Sequence, residues 1–153
     1  MKKAFKIMVI LTVFTMMFTL SGCVKKAIET DTFVQKAQAA GYTVEDMYST
    51  VEGNRRIVEF KMAMKDDYHI EFAEVTTLAY AKVVYAGNKS KTEARNGNIP
   101  PDTKIETKNY SKYTMTANGQ YYVVSQIDKT IIYCVVDVKY KDEVDSFLKS
   151  LNY

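Results

Sequence analysis

The chain has no tryptophan, a single histidine, two cysteines and two prolines in 153 residues. A structural zinc site needs about four Cys, His or acidic ligands, and this residue supply does not group into one. No metal and no cofactor is therefore expected. Six glycines are spread along the chain without a phosphate-cradling loop. A nucleophile–histidine arrangement would have to recruit His69. His69 and Glu71 fall on the presumed outer row of a strand, where solvated side chains are the simpler reading. They stand as the candidates for a small hydrolase. Asp66-Asp67 lacks the Asp/Asn spacing of a calcium loop. The expectation is a protein that is not an enzyme.

Charge of one sign is also missing from most of the chain. The formal net charge is +3, from 21 Lys and Arg against 18 Asp and Glu. Three of those lysines are Lys2, Lys3 and Lys6. Residues 23–153 carry 18 charges of each sign. The basic balance resides in the first few residues, so composition gives no ground for a nucleic-acid partner.

Residues 7–20 carry no charge and no proline. As a helix, that run would cover about 21 Å, short of a bilayer core of roughly 30 Å. A basic start, a short apolar run and small residues after it describe a secretory signal. The run ends in Leu20-Ser21-Gly22-Cys23, which resembles the lipobox of bacterial lipoproteins. The resemblance implies cleavage of residues 1–22 and a diacylglycerol thioether on Cys23. It further implies attachment to the outer side of the cell membrane, with the bilayer itself as a partner. Two acyl chains anchor stably where one does not. Cys134 would then have no partner for a disulfide, and its β-branched surroundings make it a small buried hydrophobe. Residues 23–30 read as the lipidated cysteine and a short tether, and 31–153 as one domain.

Within that domain, residues 33–40 favour a helix. Thr30, Asp31 and Thr32 offer N-cap oxygens, and Gly41 a left-handed stop. Strands are expected over 42–48, 57–64, 68–75, 105–117, 120–127 and 130–138. The last of these is apolar throughout and so central. Asn118-Gly119 has the residues of a type I′ hairpin turn. Residues 76–95 read as a helix whose first half is apolar nearly all round and deeply packed. Residues 141–151 read as a helix with Val144, Phe147, Leu148 and Leu151 on one stripe. Asp31-x-Phe33 to Gly41-Tyr42 is echoed by Asp145-x-Phe147 to Asn152-Tyr153, which suggests two related units. The sum is a single α+β domain, an antiparallel sheet of five or six strands with about three helices on one face. It bears a loose similarity to cystatin-like and NTF2-like domains, which implies a fold and no function.

Twelve tyrosines are the one enrichment. Tyrosine joins apolar area to a polar tip, and exposed groups of it mark binding surfaces. Tyr110, Tyr113 and Tyr122 are the candidates for such a patch, with Tyr121 and Tyr133 directed to the core. The expected role is a non-enzymatic binding module for an envelope protein, peptide or glycan. The alternative is an inhibitor or immunity-type protein that blocks its partner with exposed hairpins such as Asn118-Gly119.

Overall fold

A computed structural model describes residues 24–97 and 99–153. Among these described residues, three α-helices and seven strands follow in the order α1 (Thr30–Ala39), β1 (Thr43–Asp46), β2 (Ile57–Lys65), β3 (Tyr68–Val75), α2 (Leu78–Asn96), β4 (Thr103–Glu106), β5 (Tyr110–Ala117), β6 (Gln120–Ile127), β7 (Thr130–Asp137) and α3 (Lys141–Ser150), with short 3-10 turns at Tyr48–Thr50 and Val138–Tyr140. The strands form one sheet in the order β1-β2-β3-β7-β6-β5-β4, antiparallel at every pairing.

The path of the chain explains the layers. β1, β2 and β3 run from one edge to the centre. α2 then crosses to the far edge, and β4 to β7 return by three tight turns until β7 meets β3. Asn118 and Gly119 have φ of +52° and +76°, as a type I′ turn requires, and Asp66 and Asp128 also adopt positive φ at their turns. β7 is the fourth strand of seven, as its apolar run implies.

One face of the sheet carries α1 and α3. Ile70 and Phe72 of β3, Val123 of β6, and Ile132 and Cys134 of β7 pack there with Phe33, Ala37, Val144, Phe147, Leu148 and Leu151. Phe33 stacks on Phe72 at 4.5 Å between centroids. The other face carries α2, with Tyr85 against Tyr113, Met115, Tyr122 and Val124.

Three expectations are corrected here. The sheet has seven strands, because 105–117 is two of them: β4 and β5 pair across a turn at Thr107, closed by Thr107 N to Tyr110 O at 2.8 Å. The helices occupy both faces rather than one. α2 is not deeply packed, since Val83 is 64% exposed and only Ala81, Tyr85, Thr92 and Asn96 are buried. Its N-cap is Thr77, whose hydroxyl accepts from Tyr80 N.

The expected cap of α1 is also absent. The helix starts at Thr30 without a side-chain cap, and the Thr30 hydroxyl donates instead to Glu74. The internal echo is a shared helix ending. Gly41 and Asn152 both have positive φ, and Tyr42 N and Tyr153 N return to Ala37 O and Leu148 O, a Schellman stop. The two tyrosines that follow are buried.

Candidate functional site

The crossing of α2 leaves part of its own face of the sheet open. The helix lies over β5, β6, β7 and the Val75 end of β3, and Val51, after the short turn Tyr48–Thr50, flanks Ile57 and Phe60, whereas the Met62 and Met64 end of β2 has no helix above it. Alternation puts Phe60, Met62 and Met64 of β2 on this face, with His69, Glu71 and Ala73 of β3. Register sets them in rows: Met62 beside Glu71 beside Tyr133, and Phe60 beside Ala73 beside Ile131. Phe60, Met62, Met64 and Tyr133 are all half-buried. The same alternation on β3 buries Tyr68, Ile70 and Phe72 on the opposite face. A row that lacks cover therefore stays partly open to solvent although it is apolar.

Between this row and α2 lies a cavity of about 160 Å³. Val51, Ile57, Phe60, Ala73, Val84, Ile131 and Tyr133 form its apolar lining, and Glu71 and Asn88 are its polar groups. Val84 and Asn88 are four residues apart on α2 and so share the side of the helix that faces the cavity.

Glu71 is the chemical centre of this groove. Its side chain is 30% exposed, and its Oε1 lies 3.5 Å from Nε2 of His69, which is 48% exposed and stands at the rim. Burial raises the Glu71 carboxyl above its ordinary value, since a charged carboxylate loses its hydration there. His69 opposes that rise, and Lys91 on the next turn of α2 opposes it further. Burial likewise raises the Tyr133 phenol. The groove can thus hold an apolar group and meet a hydrogen-bond donor or a positive charge at Glu71. Among the described residues, no group of three or more His, Cys, Asp and Glu is placed to share a metal ion.

The other site residues read from sequence fall elsewhere. Tyr110, Tyr113 and Tyr122 are 8%, 1% and 2% exposed, so they form no exposed patch. The reason is the two-sided cover of β5 and β6. Tyr110 joins the core beneath α1 and α3, while Tyr113 and Tyr122 lie beneath α2. Tyr121 is buried and donates to Asp145 at 2.6 Å.

Asn118 and Gly119 are exposed, yet the turn is held down. Asn118 Nδ2 donates to Asn96 Oδ1 at 3.1 Å, and Gly119 O accepts from Val138 N at 2.9 Å. Cys134 is fully enclosed, and burial pushes its thiol far above the usual range. Cys23 and the segment before it lie outside the described residues.

Sequence reasoning found His69 and Glu71 and read both as solvated; His69 is exposed, whereas Glu71 is half-buried. It missed Phe60, Met62, Val84, Asn88 and Tyr133 as companions. Alternation in 57–64 gave the row. Its lack of a covering helix follows only from where α2 crosses.

No family model and no curated protein matches the chain. A solved structure described as a GTP binding regulator from Thermotoga maritima is similar over 81% of this chain and 84% of its own, with 16% identity and a TM-score of 0.48.

Proposed function

We propose that the chain is a membrane-anchored, extracytoplasmic lipoprotein whose domain is a non-enzymatic binding module. Its binding site is the groove between α2 and the open rows of β2, β3 and β7. The ligand is an apolar group that ends in a positive charge or a hydrogen-bond donor directed at Glu71. The observation that carries this reading is the half-buried Glu71 carboxylate lining a mostly apolar cavity whose other polar group is Asn88. A carboxylate held in such a place is stabilised when a donor or cation replaces lost water. Anchoring is supported by the lipobox resemblance of Leu20-Ser21-Gly22-Cys23 after an uncharged run.

A second reading, a small hydrolase using Glu71 with His69, has the raised Glu71 carboxyl in its favour. It lacks a second carboxylate in the cavity lining. The blocking-hairpin reading has less support, because the Asn118-Gly119 turn is bonded to α2 and to residue 138.

Two experiments test the proposal. Titration with hexylammonium, followed by NMR of methyl and aromatic groups, is expected to move Met62, Tyr133 and Val84 and leave Leu148 and Ile132 in place. Shifts confined to other surfaces would refute the groove. Replacing Cys23→Ala is expected to abolish metabolic labelling of the chain by fatty acid, and undiminished labelling would refute the anchor.

A further inference from the structure

We infer that one end of the sheet, bearing the turns at 107–109 and 128–129 and the docked segment 25–28, rests against the lipid headgroups. The protein then stands on its membrane in a single orientation. This rests on the proposed acylation of Cys23, and goes beyond it to say which surface meets the bilayer.

Covalent geometry carries the first step. Lys25 follows Cys23 by two residues, so their Cα atoms are at most about 7 Å apart. Lys25 is itself fixed to the domain. Asn109 Nδ2 donates to Lys25 O at 2.8 Å, and Lys25 Nζ donates to Asn152 O at 2.7 Å. The same Nζ lies 4.3 Å from the centroid of the Tyr110 ring. Ala27 and Ile28 pack against the core. The segment read from sequence as a short tether is therefore a docked strap. Little slack remains between the acylated sulfur and the folded body.

The surface around the strap suits an anionic bilayer. Val24, directly after the anchor, is 79% exposed. Lys26, Lys108 and Lys129 are exposed at this end. Glu29, Glu74 and Asp128 are the carboxylates beside them; Glu74 accepts from the Thr30 hydroxyl and Asp128 from Asn109 Nδ2 at 3.2 Å. Acyl chains gain a second hold from basic residues near headgroups. The turns Asp66-Asp67 and Asn118-Gly119 sit at the far end of the strands. β5 alone, at eight residues, separates the ends by about 26 Å. The sheet then stands upright, and the groove of Glu71 opens sideways, along the membrane rather than away from it.

The test uses the full chain, processed in bacteria and reconstituted in vesicles of phosphatidylcholine and phosphatidylglycerol with a spin-labelled headgroup lipid. Single fluorophores are placed at Lys108→Cys, Lys129→Cys, Asp67→Cys and Gln120→Cys. Cys134 is buried and does not compete for the label. Quenching is expected for the first two sites and not for the second two. Asn109→Ala, which frees the strap, is expected to shrink that contrast. An acylated chain whose four labels quench alike, or whose far-end labels quench more, overturns the orientation alone. A mass spectrum without the acyl addition overturns the anchor, and the orientation with it.

Discussion

Two truncations on neighbouring strands measure how differently the sheet is covered. Ile70 of β3 is fully enclosed beneath α1 and α3. Met62 of β2 is half-buried on the opposite face, beside Glu71. Removing a fully buried Ile to Ala costs 2–5 kcal/mol, because transfer energy is lost and a cavity remains. Ile70→Ala is expected near the middle of that range, about 3 kcal/mol. Met62→Ala leaves a hollow that opens to solvent, so no enclosed void remains, and only part of the side chain's contact is lost. Its expected cost is about 1 kcal/mol. For a domain of this size, an unfolding entropy of roughly 2.1 cal/mol/K per residue converts the two costs to falls in Tm of about 11 °C and about 4 °C. Urea unfolding would read the same difference as a shift in midpoint at constant slope. Equal losses at the two sites would mean that β2 is covered on both faces, and the groove would not exist.

Other consequences follow from the same geometry. The Glu71 carboxyl is raised in the folded state, so the folded chain holds its proton to higher pH than the unfolded chain does. Stability should fall as pH rises from the unfolded value near 4.5 through the raised folded value, and stay lower above it. Glu71→Gln should flatten that slope and raise the urea midpoint at neutral pH, and a lowered midpoint would contradict the burial argument. Gly119 has φ of +76°, so Gly119→Ala should cost about 1 kcal/mol, read as a lower urea midpoint. No change would mean that the turn is not held in this form. Cys134 should resist thiol reagents in the native state and react on unfolding, and rapid native labelling would contradict its enclosure.

Much of the fold was legible because several segments obey one local rule each. Tyr68, Ile70 and Phe72 alternate with His69 and Glu71, and β3 follows residue for residue. Asn118-Gly119 could only be a tight turn, and Val144, Phe147, Leu148 and Leu151 could only be a helix stripe. The split at Thr107 was hidden because Thr107-Lys108-Asn109 contains no Gly or Pro. A threonine hydroxyl bonded to the carbonyl and amide of Tyr110 closes that turn instead.

The tyrosines misled for a different reason. Alternation says which residues share a face, not whether a face is covered. At β5 and β6 both faces are covered, so Tyr110, Tyr113 and Tyr122 are core. The candidate site suffered the converse error. Glu71 and Tyr133 lie 62 positions apart and meet only through the β3–β7 pairing, which no local pattern encodes.

Glu71 is the proposed partner of a charged or donating ligand. The direct measurement compares the affinity of hexylammonium and of 1-hexanol for the native chain and for Glu71→Gln. Loss of one charge-assisted contact in a partly buried site is worth about 1.5 kcal/mol or more, which is roughly a tenfold change. Hexylammonium should weaken by about that factor, while 1-hexanol, which both side chains can accept from, should change little. Equal affinity of hexylammonium for the two proteins would contradict the account.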